Sequence, residues 1–291
     1  MKPSAFEYFA PVTVTEAIGL LERYGEEAKV LAGGQSLIPM MNFRVARPKV
    51  LVDINRVKEL DYIREEKDEL VIGGLTRERS LEVSPLIQKK CPILAEAISY
   101  IGHLPIRTRG TIGGSLVHAD PTAEIPVVVA ALEGQMKLAG PSGERLLRAE
   151  EFFVTYLTSA LEPSEILVEV RIPTLPPNTG WSFMEFSRRH GDFGIVSVAA
   201  LLFMGSQGRC QKASLALGGV APSPLRAREA EILLSGQVIT EALIMEAGVR
   251  AAQATEPESD YHASAEYRRN LAKVFTQRSL QEAWNKIKGG K

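Results

Sequence analysis

Cysteine is nearly absent: the 291 residues hold only Cys91 and Cys210. Two thiols so far apart in the chain cannot build an iron–sulfur cluster or a structural zinc site. Histidine is also scarce, and His103, His118, His190 and His262 never fall at ligand spacing. No metal is therefore expected, and any redox group must be organic. There is no excess of one charge, with 34 Lys and Arg against 35 Asp and Glu. That balance argues against nucleic acid or an anionic membrane as the main partner. The longest apolar run, from Phe193 to Gly205, is too short to cross a bilayer and reads as a buried strand. The opening MKPSAFEYFAPVTV lacks the basic-then-apolar order of a secretion signal, so a cytoplasmic location is expected. No G-x-G-x-x-G opens a helix and no G-x-x-x-x-G-K-[ST] occurs, which removes the common Rossmann and P-loop routes to phosphate.

What is present is ordinary globular material, 45% hydrophobic and 24% charged, in a chain longer than one core usually supports. Thr13 to Glu16 has the form of a capping box, and Ala17, Ile18, Leu20, Leu21 and Tyr24 follow at helical spacing until Gly25. KVLA and RPKVLVDI read as strands, so the first 55 residues form a βαβ-like unit. DELVIGGLT reads as a strand, Thr76 as the cap of a helix over LTRERSLEV, and CPILAEAISYI as a helix opened by Pro92. IRTRGTIGGSLVHADP reads as non-helical, with a short strand at Thr111-Ile112. A helix over PVVVAAL and two strands around a Gly-Pro-Ser-Gly turn follow, then the alternating strand EILVEVRIP. After a linker-like LPPNTG come the strands WSFMEFSRR, IVSVAALLFM and KASLALGGV. Two amphipathic helices, a long closing helix and a fraying GGK tail complete the chain. Strands grouped and then helices grouped indicate an α+β fold.

Gly-Gly occurs in LAGGQS, VIGGLT, TIGGSL and LGGVAP, each time directly after a predicted strand. A tight turn at positive φ explains any single pair. The alternative is close approach of backbone to an anion, with several N–H groups forming a nest. Two pairs add hydroxyls for that purpose: Ser36 beside the first, and Thr111 and Ser115 beside the third. With no lysine in either loop, a buried structural diphosphate suits them better than a phosphoryl group in transfer. Glu124 is either a solvated carboxylate of a loop or helix start or an acceptor for a ribose diol, and Asp120 before Pro121 organises a turn.

At AGGQSLIPMM and IRTRGTIGGSLVHADPTAEIP the chain resembles the medium, FAD-binding subunit of the molybdenum hydroxylases, of the carbon monoxide and xanthine dehydrogenase types. The likeness extends to FEYFAPVTVTEAIGLL, EILVEVRIP, FSRRHGDFGIVSVAA, GGVAPSPLRAREAE and SAEYRRNLAKVFTQRSLQEA, nearly the whole chain. It implies a vanillyl-alcohol-oxidase-type (PCMH-type) FAD-binding fold of two α/β subdomains, here 1–55 and 56–175. A C-terminal α+β domain over 176–291, with a three-stranded antiparallel sheet and helices, would follow.

By position, the resemblance implies that Ala32, Gly33, Gly34, Gln35, Ser36 and Leu37 wrap the FAD diphosphate. Thr111, Ile112, Gly113, Gly114 and Ser115 would form the other half of the cradle. Glu124 would face the adenosine, Leu167 would offer main-chain contact to the flavin ring, Ile101 would lie nearby, and Phe193 would lie over the ring. Met184 stands where xanthine-type relatives carry a lysine near the flavin, with Glu185 beside it, and Gln35 stands where carbon monoxide-type relatives often have His.

The implied partners are a large molybdenum-cofactor subunit and a small subunit with two two-iron clusters, assembled as a dimer of heterotrimers. Electrons would reach FAD from those clusters and pass to an external acceptor. Neither acid–base catalysis nor a metal on this chain is required. Arg107, Arg109, Arg188 and Arg189 are either subunit or flavin contacts or surface ion pairs. The rival readings are a stand-alone FAD oxidase or reductase, and a nucleotide-binding scaffold whose glycine loops are only turns.

Overall fold

The computed structural model describes residues 2–205 and 208–289, in which three larger sheets succeed one another along the chain beside one two-stranded hairpin. The first contains β1 (Glu7–Phe9), β2 (Ala28–Leu31) and β3 (Val50–Asp53) in the order β1-β3-β2, all parallel. Helix α1 (Val14–Tyr24) crosses from β1 to β2, and α2 (Leu37–Asn42) lies between β2 and β3. Thr13 caps α1 by accepting from the Glu16 amide at 3.2 Å, and Gly25 ends it at φ +51°. The middle strand β3 has buried Val50, Leu51 and Val52 in succession, as a parallel strand covered on both faces requires.

The second sheet is antiparallel throughout, with order β4-β5-β10-β6-β7. Its strands are β4 (Ile63–Glu66), β5 (Glu69–Gly73), β6 (Gln135–Gly140), β7 (Gly143–Arg148) and β10 (Ile166–Pro173), the small hairpin β8 (Phe153–Thr155) and β9 (Thr158–Ser159) preceding β10. Between β5 and β6 run α3 (Glu78–Val83), α4 (Pro85–Lys90), α5 (Pro92–Tyr100), α6 (Leu104–Arg107), α7 (Ile112–His118) and α8 (Glu124–Ala131). A short α9 (Ala149–Phe152) follows β7. Every residue of α8 is buried. Its β-branched run is helical because core packing, worth about 1.5–3 kcal/mol for each Val or Ile, outweighs a propensity of tenths.

The third sheet, β11 (Thr179–Phe186), β12 (Val196–Met204), β13 (Cys210–Gly218) and β14 (Leu225–Arg226), is antiparallel in that order. Three long strands were expected, and a two-residue fourth is added at the edge. One face, with Phe183, Ala199, Leu201 and Ala216, shares a core with α5 and α8. The other face, with Val198, Ala200 and Leu202, packs under α10 (Arg228–Leu234), α11 (Glu241–Gln253) and α12 (Ala265–Gly289). Of the expected fraying tail, Gly289 is the last residue of α12, and Gly290 and Lys291 lie outside the described residues.

Two local expectations are corrected. The segment around TIGGS is helical, because Thr111 caps α7 through its Oγ1 to the Gly114 amide at 3.1 Å, and Ile112 and Leu116 bury on the core side. Thr111 itself is bridged only to Arg77. Thr76 does not cap α3. Its hydroxyl donates to the Tyr62 carbonyl at 2.9 Å and accepts from the Tyr62 amide, and Arg77 takes the cap position.

Candidate functional site

The first glycine loop leaves β2 at Leu31 and enters α2 at Leu37. Gly34 adopts φ +73°, which lets the chain turn sharply there. Among the described residues, the N–H groups of Gly33, Gly34, Gln35 and Ser36 donate to no protein acceptor. The loop carbonyls are engaged instead: Gly33 accepts from Gln35 Nε2 at 3.1 Å, Gly34 from the Ile38 amide and Ser36 from the Met40 amide. Four adjacent donors without partners are what an anion nest presents.

The second loop differs. Ile112 donates to Thr76, Gly113 to Gly74, Gly114 to Thr111 Oγ1 and Ser115 to the Thr111 carbonyl. Its amides are spent inside the protein, so its offer to a ligand is hydroxyl, from Thr111 and Ser115. The glycines here serve packing. A Cβ on Gly113 would come within 2.5 Å of the Gly74 carbonyl oxygen, and one on Gly74 would collide with the Leu167 carbonyl. Leu167 lies at a bulge in β10 that frees the next carbonyl, Val168, for the Gly74 amide at 2.9 Å. The pair in VIGG thus joins Leu167 to the third glycine pair.

The two loops touch. A Cβ on Gly33 would lie 2.5 Å from the Arg109 carbonyl oxygen. They are stapled by residues the sequence reading did not single out. Asn55 Nδ2 donates to Ala32 O at 2.8 Å, Arg77 Nη2 donates to Asn55 Oδ1 at 2.5 Å, and Arg77 Nη1 donates to Arg109 O. An asparagine just after a strand carries no pattern of its own, so no sequence signal marked it. A cavity of about 340 Å³ opens beside the staple, lined by Ala32, Gly33, Gly34, Gln35, Asn55 and Arg109.

From the second loop a seam of buried carboxyls runs toward the third sheet. Glu78 lies against Gly110, with Oε2 unpartnered. Glu124 opens α8 and is 8% exposed. Glu185, near the end of β11, has both carboxyl oxygens closed to solvent and without partners. Burial pushes Glu78 up to about 8, helped by Glu124. Burial likewise lifts Glu124 to about 7 and Glu185 to about 8, with Glu124 adding to the latter.

At the far end, Ile101 ends α5 half-buried, its carbonyl accepting from Arg107 Nη1 at 2.8 Å. Arg107 also pairs with Glu82 at 3.0 Å. The loop from Ser187 to Gly194 leans on this turn. Gly191, at φ +87°, abuts Gly102, and His190 lies 6.0 Å from the Tyr100 ring. Phe193 is 79% exposed on that loop. Ala32 to Leu37, Thr111 to Ser115 and Leu167 therefore form one continuous backbone cluster. Glu124, Ile101 and Phe193 belong to the seam and the turn beyond it.

Met184 lies elsewhere. It pairs with Val198, whose side chain is in the core under α12, so Met184 points away from the seam while Glu185 points into it. Among the described residues no group of three metal-ligating side chains occurs, and no helix is long and apolar enough to cross a membrane.

Residues 4–175 match the family described as the FAD binding domain in molybdopterin dehydrogenase, and residues 181–283 match the CO dehydrogenase flavoprotein C-terminal domain. The chain is 41% identical over 288 residues to the 6-hydroxypseudooxynicotine dehydrogenase complex subunit alpha of Paenarthrobacter nicotinovorans, covering 99% of this chain and 97% of that one. It is 40% identical to the carbon monoxide dehydrogenase medium chain of Hydrogenophaga pseudoflava, covering 98% and 99%. The solved carbon monoxide dehydrogenase of Hydrogenophaga pseudoflava superposes with a TM-score of 0.96 over 98% of this chain and 99% of that one, at 40% identity. Quinoline 2-oxidoreductase of Pseudomonas putida 86 does so at 0.93 over 99% and 100%, at 38% identity.

Proposed function

The chain belongs to the FAD-binding medium-subunit family of the molybdopterin dehydrogenases, and on that premise we propose that it relays electrons as the flavoprotein subunit of a molybdenum hydroxylase-type complex. The observation that carries this reading is the union of the four partnerless amides of the first loop with the hydroxyls of the second. That is a cradle for a diphosphate, continued by polar groups suited to the rest of a dinucleotide. The residues fit FAD on the same ground: donors stand at the loops, and unpartnered carboxyls along the seam.

In this reading Gly33, Gly34, Gln35 and Ser36 donate main-chain hydrogens to the diphosphate, with Ala32 and Leu37 framing them. Thr111 and Ser115 add hydroxyl donors. Gly114 keeps the approach open, and Ile112 and Gly113 hold that wall in place. Glu124 accepts from a sugar hydroxyl or donates as the acid. The Leu167 main chain, Ile101 and Phe193 bound the ring. Bound FAD would supply the redox chemistry, taking up electrons from the partner clusters and passing them to an external acceptor. The protein excludes water from the ring and fixes its surroundings. Substrate chemistry belongs to partners, a large molybdenum-cofactor subunit and a small iron–sulfur subunit, in a dimer of heterotrimers in the cytoplasm.

The test is to express the full chain with its neighbouring genes and analyse what copurifies. Released FAD, with iron–sulfur absorbance travelling on two further subunits, is expected. FAD without partners would replace the reading with a stand-alone flavoenzyme. A folded chain that takes up no flavin would overturn it altogether.

A further inference from the structure

β11 and β12 place Glu185 opposite Ser197, and β12 and β13 place Ser197 opposite Gly218. Residues paired in this way share a face, here the one turned to α5 and α8. Three observations make the row unlike the apolar surface around it. Ser197 is 1% exposed and its Oγ has no hydrogen-bond partner. Both Glu185 oxygens are equally unpartnered. Glycine occupies two of the places around these groups: a Cβ on Gly194 would lie 3.1 Å from the Glu185 carboxyl, and one on Gly218 would lie 2.5 Å from Ser197 Oγ. Burying polar atoms without partners costs about 1–3 kcal/mol each, and nothing within the described protein returns that cost.

Position along the seam says which part of a dinucleotide lies here. The diphosphate cradle is at the other end, by Gly33 and Gly110. Glu185 neighbours the Phe193–Gly194 loop and the Tyr100 ring, whose hydroxyl is pushed up chiefly by burial, with Glu96 and then Glu185 adding to it. An isoalloxazine has one apolar benzenoid end and one polar edge of alternating carbonyl and imide N–H groups. A carboxylic acid complements such an edge, donating to a carbonyl and accepting from the N–H, and burial pushes Glu185 up to about 8, which favours that acid form.

Resting on the reading of this chain as an FAD protein, we infer that Glu185, backed by Ser197, hydrogen-bonds the polar edge of the flavin ring and positions it beneath the Phe193 loop. The position is one residue after Met184, on the opposite face of β11.

The full chain, stripped of flavin, would be titrated with FAD, FMN and riboflavin, as wild type, Glu185→Gln and Glu185→Leu. Because the ring is common to all three ligands, Glu185→Leu should weaken each by about tenfold or more, the value of one well-placed hydrogen bond. Glu185→Gln, which keeps one donor and one acceptor, should restore most of the loss. The flavin-free Glu185→Leu chain should melt at the same temperature or higher, since an unpartnered buried acid has been removed. A loss confined to FAD would overturn the inference by moving Glu185 to the adenosine. Unchanged affinity for all three, or a fall in melting temperature that accounts for the weaker binding, would also overturn it. A wild-type chain that binds none of the three would instead overturn the FAD reading beneath it.

Discussion

Gly113 donates its amide to the Gly74 carbonyl at 3.0 Å, and a Cβ on Gly113 would sit 2.5 Å from that same oxygen. The contact fixes the start of α7 against the end of β5, and Gly74 presses in turn on Leu167. Gly113→Ala should therefore lower the stability of the flavin-free chain by about 1–3 kcal/mol, as overpacking against backbone does. The control is Gly19→Ala in α1, where nothing lies within 4 Å and a gain of about 0.5–1 kcal/mol is expected. Urea midpoints of the two variants, moving in opposite directions, would bear this out. A neutral Gly113→Ala would mean the second loop is free to shift.

Asn55 makes the second prediction. It holds Ala32 and receives Arg77, which in turn holds the Arg109 carbonyl. Asn55→Ala removes two of these bonds directly and leaves Arg77 half-employed. Preorganisation of the two loops is then lost, at about 1 kcal/mol per bond. FAD affinity, read by quenching of flavin fluorescence, should fall by about tenfold or more, while riboflavin, which has no diphosphate, should be affected far less. Equal losses for both ligands would mean that the staple supports the ring site and not the cradle.

Glu78, Glu124 and Glu185 set a pH dependence. Each carboxyl is raised in the folded chain, from 4.5 to about 8, about 7 and about 8. Over that interval the folded state holds more protons than the unfolded one, so stability declines as pH rises. The full benefit is present below about pH 4.5 and is lost as pH passes through the folded values. The flavin-free chain should thus melt at lower temperature at pH 8.5 than at pH 6, and Glu78→Gln should flatten that slope. Depressed carboxyls such as Asp260, held at about 2 chiefly by the Ala263 amide and Arg268 against burial, act in the opposite direction. They do so only at acid pH, outside this window.

Most elements were legible because their signals are local. The Thr13 cap with its helical spacing, the alternating EILVEVRIP and the grouped C-terminal strands specify structure within a few residues. The helix at TIGGS was not legible, since two glycines disfavour helix by about 1 kcal/mol each. Only the Thr111 cap and the burial of Ile112 and Leu116 reverse that. The pair in VIGG looked like a turn for a similar reason: its purpose is the Leu167 carbonyl, a contact across 93 residues of chain that no local pattern records. Asn55 and Glu78 were missed on the same account, because each takes its meaning from a partner brought in by the fold.

Met184 shows how strand parity decides what an aligned position can do. The resemblance implies a lysine near the flavin at this position, yet its cross-strand partner Val198 is in the core beneath α12. One residue along a strand reverses the face, so a cation placed at 184 would enter apolar packing and not the seam. Met184→Lys should cost about 0.5–3 kcal/mol of stability, the common range for a substitution that buries part of a charge, eased where the long side chain reaches water. Because its head group cannot reach the seam, FAD affinity and the flavin absorption maxima should stay at their wild-type values. A variant that binds FAD more tightly, or shifts its spectrum, would show that β11 turns its other face to the cofactor, and the assignment of Glu185 to the ring would fall with it.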